Sequence, residues 1–203
     1  MNFPARFALR SLAAALLLAS PILAQPSTPS PTVNAAYVAK QFGASFTLDP
    51  NIPPMFGDLD GDGREDLVLV GTSSTPLLSQ TEFNFRVADP YNAYFGTGDP
   101  RITSTFSLHF DGSSLCILIV FGWRQPPPGK VNPKLPFKFV LINTPFDSVR
   151  IVNFRLKKKH LQAVECIDRT SLHSLLFWDG KRWHWSAQGM EGDDTLFKMP
   201  SQN

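Results

Sequence analysis

The stretch from Phe56 to Gly71, FGDLDGDGREDLVLVG, carries the strongest chemical signal in the chain. Asp58, Asp60, Asp62 and Asp66 stand at positions 1, 3, 5 and 9 of a tight loop, with Gly61 and Gly63 between them. Calcium is a hard cation that takes about six to eight oxygen ligands at roughly 2.3–2.6 Å. Alternate side chains of a curled loop converge on one point, and glycine tolerates the positive φ angles that curling needs. The carbonyl of Arg64, at position 7, is the natural backbone ligand. Without a cation, four aspartates and Glu65 repel one another, which opens the loop or raises carboxylate pKa values. Magnesium demands stricter octahedral geometry and keeps its water, so this donor set favours calcium. A solvated acidic turn that holds no metal is the competing reading.

An EF-hand needs a bidentate Glu at position 12, where this chain has Leu69, and a helix after it. LVLVG is too β-branched and too soon ended by glycine for that, so a strand is expected instead. The run from Phe56 to Gly71 resembles the FG-GAP or VCBS-type repeat, the calcium-loop blade of integrin-like β-propellers. In that family an Asp-x-Asp-Gly-Asp-Gly-x-x-Asp loop joins two neighbouring strands. The resemblance implies side-chain oxygens from Asp58, Asp60, Asp62 and Asp66 and a carbonyl from Arg64, and it covers sixteen residues. A fainter similarity lies at Leu161–Ser186, whose preceding loop, Arg155 to His160, carries no acidic ligand. A propeller needs several blades of about 40 or more residues, so a complete ring does not fit this length.

Other chemistry is thinly represented. A Gly-x-Ser-x-Gly elbow, a His-Glu-x-x-His helix and a paired carboxylate framework are all missing, and His109, His160, His173 and His184 are scattered. A binding or structural role is therefore expected, with a calcium-dependent hydrolase of a phosphate ester or glycan as the alternative. Phe177, Trp178, Trp183 and Trp185 crowd one hairpin, as core or, if exposed, as a stacking surface for sugar rings. Asp89, Tyr91, Asn92 and Tyr94 are polar and aromatic enough for a ligand site, or for an ordinary packed loop. Arg155, Lys157, Lys158, Lys159 and His160 read as a solvated basic turn that discourages edge pairing, with contact to phosphate or an anionic polymer as the alternative. Cys116 and Cys166 have no metal-site spacing and are either one disulfide or two buried thiols in separate strands.

These residues need a frame. Eighteen prolines and seventeen phenylalanines favour short strands joined by turns over long helices. The pattern predicts a short helix at Ala35–Gln41, ended by Gly43. Strands are expected at 44–48, 54–57, 67–71, 83–88, 105–110, 115–121, 137–142, 149–156, 161–167 and 174–178. Asp111-Gly112 and Asp179-Gly180 mark hairpins, the second running from Phe177 to Trp185. Asp89–Pro100 and Gln125–Pro136 read as irregular loops. The fold expected is all-β and antiparallel, propeller-blade-like or sandwich-like, with one short N-terminal helix.

Residues 1–24 have the layout of a secretion signal: a positive start, the apolar run Ser11 to Ala19 and a small residue at Ala24. A Pro/Ser-rich linker, 25–34, and a single β domain, 35–203, with its calcium loop at 58–66, complete the expected organisation. The net charge of +2 comes from nineteen basic and seventeen acidic residues, and loss of Arg6 and Arg10 with the leader would balance them. A balanced chain offers no electrostatic reason for a nucleic-acid partner. The reading is an exported protein, periplasmic or extracellular, without a membrane span after cleavage, whose partners are calcium and an extracellular protein or glycan.

Overall fold

The computed structural model of the protein describes residues 32–105, 115–123, 138–156, 159–188 and 196–198. The expected leader, most of the linker and the Asp111-Gly112 turn lie outside these residues, as do Lys157, Lys158 and the loop Gln125–Pro136.

Apolar residues on both faces of three neighbouring strands set the architecture. β3 (Asp66–Thr72), β5 (Leu115–Val120) and β6 (Lys138–Ile142) lie side by side and antiparallel, with β5 in the middle. Because successive side chains of a strand point to opposite faces, each of them feeds two cores. Val68, Val70, Ile117, Ile119, Phe139 and Leu141 face one core; Leu67, Leu69, Cys116, Leu118, Val140 and Ile142 face the other. The first sheet is completed by β1 (Thr47–Leu48) and β2 (Met55–Gly57), both on β3, and by β4 (Arg86–Ala88) on β6.

A second sheet, order β10-β9-β8-β7-β11, is a continuous antiparallel meander over its first four strands. They are β7 (Ser148–Leu156), β8 (Lys159–Ile167), β9 (His173–Trp178) and β10 (Trp183–Ala187), with β11 (Leu196–Lys198) on the far edge. Val164, Cys166, Leu176, Trp178, Trp183 and Trp185 cross the gap to the first sheet's inner face. The outer face of the first sheet is roofed by α1 (Ala35–Phe42), which buries Val38 and Phe42 and is capped by Asn34 and Gly43. The molecule is thus an all-β sandwich with a helix on one outer face, and its sheets do not close into a barrel.

Several expectations need correction. The sheets are not wholly antiparallel, because β4 runs parallel to β6. The strand expected at Phe83–Ala88 is only Arg86–Ala88: α2 (Gln80–Phe83) is a single helical turn, left at Asn84 with φ 50°. The irregular loop expected at Asp89–Pro100 contains α3 (Pro90–Tyr94), and α4 (Pro100–Thr103) begins at its end. Each of these follows an Asp-Pro step in which Asp accepts a backbone N–H as N-cap and Pro fills the first helical position. Of the two readings left open for the cysteines the structure has the second: Cys116 and Cys166 are buried thiols on different sheets and form no disulfide. The hairpin expected at Phe177–Trp185 is present, its Asp179-Gly180 turn lying in a four-residue loop closed by the Trp178–Trp183 pair.

Candidate metal centre

The acidic loop is the connection between β2 and β3, which pair antiparallel from Met55–Val68 to Gly57–Asp66. Two glycines let it curl: Gly61 has φ 76° and Gly63 φ 83°, where a Cβ would be strained. The Asp58 carboxylate organises the curl by accepting backbone N–H bonds from Gly61 (2.8 Å), Asp62 (3.1 Å) and Gly63 (2.9 Å). Asp66, fully buried at the start of β3, closes the other end. Its two oxygens accept from the N–H of Leu59 and of Gly122, each at 2.8 Å, so one carboxylate ties the loop to the end of β5.

Of the five positions expected to hold a cation, the structure brings together Asp58, Asp60 and Asp66, whose nearest carboxylate oxygens all lie within 4.8 Å of one another. Asp62 is not among them: it faces the guanidinium of Arg64, with which it forms an ion pair, and it also accepts the Arg64 backbone N–H. The competition is local, since a guanidinium two residues away neutralises Asp62 without help from the rest of the loop.

The electrostatics of the trio follow from burial and crowding. Asp66 is pushed up to about 7, chiefly because its charged form is desolvated, with Asp60 and Asp58 adding repulsion; the two N–H bonds pull the other way and lose. Asp60 is raised by burial first and by the charge of Asp58 second, with Arg64 opposing. Three hard oxygen donors carrying incompletely compensated charge are the donor chemistry that calcium takes. Asp58, Asp60 and Asp66 fit such an ion.

The loop also rests on the second sheet. Gln162 on β8 accepts the N–H of Asp58 at 2.7 Å through its Oε1 and donates to Asn153 Oδ1 at 3.0 Å through its Nε2. A Cβ on Gly57 would lie 2.5 Å from that Gln162 oxygen and 2.9 Å from Ile151, so only glycine fits the contact.

The remaining candidates separate into packing and surface. Trp178, Trp183 and Trp185 are core residues, which removes the condition for sugar stacking on them. Asp89 is a helix cap: buried, it accepts from Asn92 N–H and Nδ2 and from Asn143 Nδ2. Tyr91 packs on the inner core, and Tyr94 is half exposed. Arg155 and His160 sit exposed on paired strands, as a solvated basic turn requires. Sequence reading missed one cluster, the buried Glu165 of β8, which is ion-paired with Arg150 and lies 3.0 Å from His173 Nδ1. Its signal was an acidic residue inside an otherwise apolar strand, VECI, where a buried charge requires a partner. His184 stacks on Phe177 and contacts Asp179 at 2.8 Å.

Fold and site together define a two-sheet β-domain whose β2–β3 hairpin carries an acidic, glycine-curled loop. No family model, curated protein or solved structure matches the chain.

Proposed function

We propose that this protein is an exported calcium-binding β module in which the ion rigidifies the loop from Asp58 to Asp66. The observation that carries this reading is the convergence of Asp58, Asp60 and Asp66 within 4.8 Å, with burial and neighbouring charge opposing the ionisation of Asp60 and Asp66. A divalent cation offsets that repulsion, and the β2–β3 hairpin around the loop is the setting that the FG-GAP or VCBS-type resemblance implies. The role assigned to the ion is structural: it fixes the loop against Gly122 on one sheet and Gln162 on the other. Partners outside the cell, a protein or a glycan, would then meet a surface whose shape depends on calcium.

Calorimetry on the full chain tests this directly. Calcium should bind with a Kd of about 10⁻⁴–10⁻³ M, in the range of extracellular modules, and magnesium more weakly. Asp60→Ala should abolish the heat. Absence of both heat and any change in melting temperature with the wild-type protein would overturn the proposal.

A further inference from the structure

A second feature shares no residue with the acidic loop. Between α3 and the β9–β10 hairpin lie two adjoining cavities of about 180 and 220 Å³, with Pro90, Ala93, Arg182 and Trp183 in the walls of both. Each exceeds the roughly 150 Å³ that suffices for a benzene ring in an apolar interior. Their walls are largely aromatic and aliphatic: Phe139, Trp178 and Trp183 in one, Tyr94, Trp183 and Trp185 in the other.

The polar groups at the rim give this groove its chemical preference. Trp183 and Trp185 are 4% and 6% exposed, and neither indole N–H has an acceptor among the described residues. Buried tryptophan N–H groups normally find a partner, and leaving one unmade costs about 1–3 kcal/mol. Both N–H groups are themselves shut off from the surface, so the groove meets the faces and edges of these rings, not their donors. At the rim, Arg86 and Arg182 are exposed and have no carboxylate partner among the described residues. The Arg182 Nε lies 3.3 Å from His184 Nε2, and its terminal N–H groups remain for a ligand. The one carboxylate in the wall, Asp89, is committed to Asn92 and Asn143.

We propose that this groove binds a small carboxylate with a flat apolar body, the ring lying against the apolar wall and the carboxylate oxygens meeting the guanidinium groups of Arg86 and Arg182 at the rim. Apolar walls favour the ring, and a planar guanidinium pairs with a carboxylate through two parallel bonds. The proposal stands whether or not the loop binds calcium.

The test uses benzoate as probe and the indole N–H resonances of the full chain, labelled with ¹⁵N, as readout. Resonances of Trp183 and Trp185 should move saturably with a Kd of about 1 mM, as expected for so small a ligand, while that of Trp123 stays in place. Benzyl alcohol, a neutral molecule with the same ring, should bind roughly tenfold more weakly. Arg182→Gln and Arg86→Gln are changes at exposed side chains and should leave the melting temperature unchanged. Each should weaken benzoate by about tenfold and leave benzyl alcohol unaffected. The proposal is overturned if benzoate gives no saturable shift well above that concentration, if benzoate and benzyl alcohol bind alike, or if both variants bind benzoate as the wild type does.

Discussion

Replacing Asp60 with Asn should change protein stability in opposite directions depending on whether calcium is present. The carboxamide introduced by Asp60→Asn would keep an oxygen for the Asp62 N–H, which Asp60 Oδ1 accepts at 3.1 Å, so the loop's own hydrogen bonding survives. What is lost is a negative charge with two carboxylate neighbours no more than 4.8 Å away. One such pair repels by about 0.9 kcal/mol at the dielectric of water and about 3.5 kcal/mol at the lower value suited to a protein surface. In chelator at low salt, Asp60→Asn should therefore stabilise the protein by about 1–3 kcal/mol. For a domain of this size that is a rise in melting temperature of roughly 2–4 °C per kcal/mol. With calcium at about a hundred times its Kd, the wild type gains about 2.7 kcal/mol and the variant does not. The two melting temperatures should cross as calcium is raised, in a scanning-fluorimetry titration at constant ionic strength. A variant that melts below the wild type in chelator would refute the repulsion argument. Equal calcium shifts in both proteins would refute the ligand assignment.

Asp66 supplies a pH prediction whose sign follows from its environment. Its folded pKa, about 7, lies above the ordinary carboxyl value, so its contribution to metal-free stability is greatest below about pH 4 and is lost as pH rises towards 7. In chelator, urea melts of the wild type and Asp66→Asn should diverge against the wild type across that window, by at most about 4 kcal/mol. Asp179 behaves oppositely. Burial works to raise it, but the Arg182 N–H, His184 and the Lys181 N–H together hold it down to about 2. It therefore stabilises the hairpin above about pH 4 and stops doing so as pH falls towards 2. Asp179→Ala should cost about 1 kcal/mol in urea melts at pH 6 and almost nothing at pH 2. Burial pushes the Cys116 thiol up to about 12 and raises Cys166 as well, so neither should react with a disulfide reagent until the protein is unfolded. Phe139→Ala should destabilise by about 3–5 kcal/mol, because its ring packs 4.9 Å from Trp178 and 5.2 Å from Phe121; denaturant melts would show it.

The central strands were legible because they are continuous apolar runs that nothing but burial on both faces explains; LCILIV and KFVLI became β5 and β6 almost to the residue. Where two physical codes share the same letters, the reading failed. Phe83, Phe85 and Val87 alternate like a strand, yet Phe83 ends a helical turn and packs on the margin of the core in which Phe85 and Val87 are buried. Asp-Pro signals a turn, but it is equally a cap followed by the favoured first helical residue, and α3 and α4 use it so. In the acidic loop the spacing placed Asp58, Asp60 and Asp66 together. It could not weigh the Arg64 guanidinium that holds Asp62, because that choice is made by side-chain geometry. The two walls of the groove beside α3 were each marked in the sequence, Asp89 and Tyr94 in one loop and the tryptophans in one hairpin, but not their meeting, since it joins β10 to residues nearly a hundred positions earlier.

Gln162 gives the loop a reach beyond its own hairpin. One amide accepts the Asp58 N–H and donates an N–H of its own to Asn153, so the tip of the first sheet is buttoned to two strands of the second. Whatever tightens the hairpin pulls on β7 and β8 through that button, and whatever loosens it releases them. Amide exchange in β7 and β8 would then slow when calcium is added, although none of the three clustered carboxylates belongs to either strand, and Gln162→Ala would leave the loop and the far sheet breathing independently.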